Sequence, residues 1–318
     1  MKENIKDILV RVPHRITGFF EIVNMKNGIK LDNPELIGSK GAGFTLSAYG
    51  YTKIRTSPLE KDDESVCKIY INKERVDDKA GTSYFIFSYI KDLIIKQKSI
   101  EIYHDFDLPV ECGYGASGSG ALGAIFGLNK VLNLNLSSIN CGRIAHISEV
   151  INKTGLGTVC GQLNSGLTLL KRAGYPCNCE RIPIPKDLNI ITTSFGNIST
   201  KSILSDEKVR SRIMNIGKII YQKFIKNPCI ETFMKLSLEF IEKTNILDIL
   251  ELSKIKELIS QLNKEKIIGA SMNQLGRSVY AICRNKDVKN VIEKFNTYQT
   301  IDKIFNLQID EKGLRILK

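Results

Sequence analysis

Apolar residues along the chain switch between a period of two and a helical period, and the switches mark its elements. Residues 8–23 predict a strand, a loop around Pro13 and Gly18, and a second strand. Gly38-Ser39-Lys40-Gly41-Ala42-Gly43 reads as a glycine loop, with Phe44 to Ile54 as the strand after it. Residues 57–80 are polar and charged, which suits a surface hairpin or an insertion. Ser83 to Lys98 reads as a helix. Ile100, Ile102, Phe106 and Leu108 keep an in-out alternation that His104 breaks, which predicts a half-buried strand.

A glycine-rich loop and an apolar helix follow, to about residue 133. Ser137 or Ser138 can cap a helix running to about Asn152, and Thr154 to Thr158 form a tight loop before a further helix to about Ala173. Gly174-Tyr175-Pro176, Pro183 and Pro185 mark a boundary. Beyond it lie a strand at Leu188–Phe195, a turn at Gly196 and mainly helical sequence from Asp206 to about Lys264. Residues 267–284 open with Ile-Ile-Gly-Ala-Ser-Met and continue as an apolar helix. The tail offers a strand at Phe305–Ile309, a Lys312-Gly313 turn and the stretch Leu314–Leu317. Strands and helices intermix with hairpins, which predicts an α+β fold.

The order strand, Pro109, glycine loop, helix carries the chemistry. Such a loop can wrap backbone N–H groups around a phosphate, and the helix N-terminus adds positive potential. A Walker-type loop needs Lys and then Ser or Thr after its last glycine, but Ala121 follows Gly120. Gly113, Gly115 and Gly118 satisfy G-x-G-x-x-G, yet no acid occurs between Glu111 and Glu149 to hold a ribose. A third reading is a different phosphate loop. A fourth is a helix packed closely on a neighbour through Gly118, Gly120, Gly123 and Gly127. The glycines before Ser117 lie outside such a helix and argue against that one.

Composition narrows the class. A chain of 318 residues has ample core for one large or two ordinary domains. No apolar run approaches the roughly 20 residues of a membrane span, and the acidic N-terminus is unlike a signal peptide, so a cytoplasmic location is expected. The 8 Cys and 3 His form no zinc pattern, and most thiols should be buried small hydrophobes; Cys177 and Cys179 alone lie close enough to sense redox state. The net charge of +12 suits either nucleic acid or an enzyme with anionic substrates. The lysines are dispersed rather than gathered in a stripe, which disfavours nucleic acid.

Pro109, Gly113, Gly115, Ala116 and Ser117 resemble the P-x-x-x-G-[aliphatic]-G-[small]-S loop of the GHMP kinase superfamily, with Tyr114 in place of the usual Leu. Further segments, in order, are similar to its archaeal pantoate kinase branch. They are Val12 to Phe20, Gly38 to Gly43, His146-x-x-Glu149 with Thr154-Gly155-Leu156-Gly157, and Ser271-Met272-x-x-Leu275-Gly276. The resemblance spans nearly the whole chain. It implies a two-domain GHMP fold, divided at 1–182 and 183–318, with nucleotide and acceptor in the interdomain cleft. It also implies ATP-dependent phosphorylation of pantoate on the archaeal route to coenzyme A.

The resemblance implies site residues as well. Gly113, Gly115, Ala116, Ser117, Gly118 and Ser119 would cradle ATP, with Ser271 in a loop beneath the phosphates. Ser271 could equally be an ordinary helix N-cap. Glu149 with the Ser117 hydroxyl would hold Mg2+, which favours hard oxygen ligands, and Ser119 could exchange roles with Ser117. Ser39 and His146 would meet the acceptor; Lys40 is a candidate anion partner, and Arg15 and Arg143 could also serve. Relatives carry an acid where this chain has Thr158, which cannot act as a base at neutral pH, and tend to carry an Arg where it has Leu170, Lys171 and Arg172. Alternative functions are a GHMP-fold kinase or transferase with another acceptor, and a basic nucleic-acid-binding protein. A homodimer is common in the superfamily.

Overall fold

A computed structural model describes residues 6–59, 65–95, 98–198, 205–298 and 303–317. Two long antiparallel strands, β1 (Lys6–Val23) and β4 (Gly38–Pro58), form its spine, joined by a hairpin of β2 (Met25–Lys26) and β3 (Ile29–Lys30). The loops expected at Pro13 and Gly18 are instead register shifts between Pro13 and Arg15 and between Thr17 and Phe19. The chain absorbs these residues as bulges because cross-strand pairing continues on both sides of each. The glycine segment 38–43 is likewise strand, not loop.

The far edge of β4 serves two partners. Residues 50–58 pair with β7 (Lys98–Phe106), and residues 41–44 pair with β8 (Leu167–Arg172). β5 (Val66–Ile71) runs parallel to β7 and turns back into β6 (Glu74–Arg75). β9 (Asn178–Ile182) extends β8, and β14 (Arg315–Ile316) returns the chain's tail to β1. His104 does not break the alternation of β7: with Ile100 and Ile102 it faces inward, its ring nitrogens at 2.9 Å from the Thr52 hydroxyl and 2.8 Å from that of Ser83.

Helices α1 (Gly81–Ile90), α2 (Ala116–Leu132), α3 (Ser138–Asn152) and α4 (Thr158–Asn164) pack beside this sheet. The predicted cap is present: the Ser137 hydroxyl accepts from the Asn140 N–H. The helix expected to reach Ala173 stops at Asn164, and residues 167–172 are β8. Gly166, at φ 74°, makes the turn between them. Val10, Ile54 and Ile102 form a core with Ala121, Leu122 and Ile125 of α2.

A second sheet has the order β11 (Gly269–Met272), β12 (Ser278–Arg284), β10 (Leu188–Ser194), β13 (Phe305–Leu307). The apolar helix expected over 267–284 is therefore a β-hairpin. Helices α5 (Glu207–Phe224), α6 (Ile230–Thr244), α7 (Ile246–Ile249), α8 (Ser253–Leu262) and α9 (Val288–Asn296) accompany it. One core joins the two sheets' layers: Phe19 meets Phe224 with ring centroids 5.3 Å apart, and Phe44 meets Tyr280 at 5.7 Å. Cys177 is bonded to Cys160 of α4, not to Cys179, so two cysteines expected as free thiols form a disulfide.

Candidate active site

β7 ends in a cramped turn that aims α2 at a cleft. Gly113 has φ 94° and Gly115, the residue before α2, has φ 69°; left-handed backbone of this kind costs glycine little. No side chain caps α2, so its first N–H groups are left to a ligand. The second sheet holds this loop from behind. The Tyr114 hydroxyl pairs with that of Thr192 on β10 at 2.8 Å, and Ser278 of β12 donates to the Cys112 carbonyl at 2.8 Å. Tyr114 thus reaches a polar partner on another sheet. The turn after β11 presses closer still: a Cβ on Gly276 would lie 2.1 Å from the Cys112 carbonyl oxygen.

The cleft in front of the loop has a volume of about 480 Å³, within the range of small-molecule sites. Gly113, Gly115, Ala116 and Ser117 line it, as do Thr17, Ser39, Leu156, Thr158 and Leu170. The two loop serines separate here. Ser117 faces the cleft, whereas Ser119 is fully buried, its hydroxyl donating back to the Ala116 carbonyl at 3.3 Å.

Glu149 comes from α3, whose end folds over the carboxylate. Lys153 adopts φ 57°, the chain reverses, and the Thr154 hydroxyl donates to Glu149 Oε1 at 2.6 Å. Oε2 is buried with no hydrogen-bond partner. Burial pushes the carboxyl's pKa up, and the hydroxyls of Thr154 and Ser117 oppose this. A buried carboxylate oxygen without a donor, beside a hydroxyl and a phosphate loop, fits a hard divalent cation that takes its remaining ligands from phosphate and water. Thr158, the first residue of α4, lies beside the same helix start: a Cβ on Gly118 would be 2.9 Å from Thr158 Cγ2 and 3.3 Å from Glu149 Oε2.

Three expected site residues have their side chains elsewhere. Lys40 alternates with Ser39 along β4 and so points away from the cleft, where it pairs with Glu21 at 2.8 Å and covers the Tyr221 ring. His146 is buried and does not line the cleft, its Nε2 at 3.0 Å from the Ile37 carbonyl two residues before Ser39. Ser271 is fully buried in β11 and donates to the Ser237 carbonyl at 3.2 Å. Arg143 pairs loosely with Glu35, at 3.6 Å. Arg15 is buried but lines the cleft. Thr154, Gln274 and Leu275 also line the cleft; the sequence places Thr154 and Leu275 within family-like segments without a role for either, and Gln274 carries no signal in a stretch that reads as helix.

The family described as GHMP kinases N terminal domain matches residues 82–164, the segment holding α2, Glu149 and Thr158. A pantoate kinase of Methanocaldococcus jannaschii is 31% identical over 88% of this chain and 94% of that enzyme. The chain belongs to the pantoate kinase family. Another member, from Thermococcus kodakarensis, is 27% identical over 92% of this chain and 94% of that enzyme. A solved structure described as a phosphotransferase related to the CoA biosynthesis pathway superposes with a TM-score of 0.80 at 25% identity, covering 98% of both chains. Mevalonate diphosphate decarboxylase of Staphylococcus aureus shares the fold, with a TM-score of 0.71 at 15% identity over 99% of both chains. The α+β GHMP-kinase fold and a small-molecule kinase activity follow from this membership. Among the described residues, no helix is long and apolar enough to cross a membrane.

Proposed function

We propose that the protein transfers the γ-phosphoryl group of ATP to the terminal hydroxyl of pantoate, giving 4-phosphopantoate and ADP on the route to coenzyme A. One observation carries this reading beyond family likeness: a phosphate loop lines the cleft, and directly behind its Ser117 lies a buried carboxylate, Glu149, with one oxygen that has no hydrogen-bond partner. Loop amides and the start of α2 bind the phosphates. Glu149 and the Ser117 hydroxyl would hold Mg2+, which supplies charge neutralisation between the phosphates. Ser39 offers the acceptor a hydroxyl, and Leu156 and Leu170 offer an apolar wall to its methyl groups.

Thr158 supplies no base. Phosphoryl transfer depends mainly on positioning and charge neutralisation, so the hydroxyl proton can leave to solvent or phosphate. An acceptor panel of pantoate, homoserine and 4-diphosphocytidyl-2-C-methylerythritol tests the assignment. Phosphorus NMR should show a phosphomonoester with pantoate and none with the other two. Turnover of homoserine alone would contradict the reading.

A further inference from the structure

β1, β4 and β8 form the floor of the acceptor half of the cleft. Their pairing sets Arg15 opposite Thr45, Gly43 opposite Thr168 and Gly41 opposite Leu170. The Arg15 side chain reaches across this floor, where its Nη1 donates to the Thr168 hydroxyl at 2.9 Å. Two glycines make room for it. A Cβ on Gly161 of α4 would lie 2.1 Å from the guanidinium carbon, and one on Gly43 would lie 2.9 Å from Nη2.

Arg15 is 3% exposed and still lines the cleft. Among the described residues, no carboxylate pairs with it. Burial lowers its pKa to about 10, so it remains charged at neutral pH. A buried cation without an anion is strongly unfavourable, and the cost is relieved when a ligand brings the anion.

The other cations near the acceptor are engaged. Lys40 is held by Glu21, Lys171 by Glu180, and Arg172 donates to the Pro176 carbonyl. Leu170 turns an apolar side chain into the cleft beside Ser39 and Gly157. Lys79 lies at the other end, next to Gly81 and Thr82 of α1.

We propose that Arg15 is the anchor for the acceptor's carboxylate, a guanidinium delivered from β1 to a pocket whose β8 position is leucine. The proposal rests on the pantoate reading above. A planar guanidinium matches a carboxylate through paired N–H donors.

The test compares wild-type protein, Arg15→Gln and Gly161→Ala on pantoate and on its primary amide, with ATP saturating. Removing one partner of a buried charge pair should raise KM for pantoate at least about 30-fold. KM for ATP should stay within about twofold, and the preference for pantoate over the amide should disappear. Arg15→Gln should unfold no earlier than wild type without ligand, because it removes an uncompensated charge. Gly161→Ala keeps the charge but pushes the guanidinium aside, so it should raise KM for pantoate selectively even if Arg15→Gln fails to fold. Equal effects on acid and amide, or no effect on either, would overturn the proposal. Wild-type protein that turns over another acceptor but not pantoate would overturn the parent reading and this proposal with it.

Discussion

The Thr154 hydroxyl holds one oxygen of Glu149 at 2.6 Å and leaves the other buried without a partner. This asymmetry is costly in the free protein and useful only if a cation arrives. Glu149→Gln keeps the shape and the Thr154 contact while removing the charge. It should lower kcat at least about 100-fold, the scale of losing one preorganised electrostatic group. It should also raise the unfolding midpoint in the absence of ligand. Wild-type turnover with unchanged stability would remove Glu149 from the site.

Thr158 stands at the start of α4 beside Glu149 and the phosphate loop. A hydroxyl there neither accepts the acceptor's proton nor adds charge. Thr158→Ala should therefore reduce kcat less than about tenfold, against the roughly 10²–10⁴ expected for loss of a working base. Steady-state kinetics decides. A loss of 100-fold or more would give Thr158 a direct part in the chemistry.

Gly276 supports the phosphate loop from the second sheet. An added Cβ would meet the Cys112 carbonyl oxygen at 2.1 Å and Gly113 Cα at 2.5 Å, both backbone atoms of the loop. Gly276→Ala should raise KM for ATP and destabilise the fold by about 1–3 kcal/mol, as overpacking does. KM for pantoate should change little. An unchanged KM for ATP would mean that the loop keeps its shape without this contact.

Acid should destabilise the protein through its imidazoles. Burial lowers the pKa of both His14 and His104 from 6.5 to about 4. Between those values the unfolded chain binds more protons than the folded one, so stability falls as pH drops from about 6.5 to 4. Each imidazole contributes a slope of about 1.4 kcal/mol per pH unit in that window. His146, also lowered by burial, acts with the same sign. Glu149, raised by burial, acts oppositely, losing stability as pH rises through its ordinary range. Denaturant titrations across pH 4–7 measure the slope, which should be shallower in His104→Gln. A flat profile would contradict the buried neutral state of these rings.

The sequence made legible what local chemistry decides. The Ser137 cap of α3 and the strand-loop-helix around Ser117 depend on neighbours in the chain, and both stand where the pattern put them. Long-range pairing decided the rest. Gly38–Gly43 reads as a loop until β1 and β8 lie on either side of it. Residues 267–284 hold two short apolar stretches around a polar middle, which periodicity alone does not assign to helix or strand; the partners in β10 settle it. At the site, adjacency in sequence was misleading. Ser39 and Lys40 fall on opposite faces because a strand alternates. His146 and Glu149 share a helix, yet one faces a backbone carbonyl and the other the phosphate loop. The disulfide between Cys160 and Cys177 depends on the turn after β8, which the predicted long helix had hidden.

The central claim is that this cleft couples ATP cleavage to an acceptor hydroxyl on pantoate. The most direct measurement is coupled ADP release from purified protein with magnesium and ATP, with and without pantoate. ADP formation that requires pantoate, is abolished by chelating the magnesium and yields 4-phosphopantoate is the result expected. ADP release that is the same with or without pantoate, or none under either condition while ATP still binds, would contradict it.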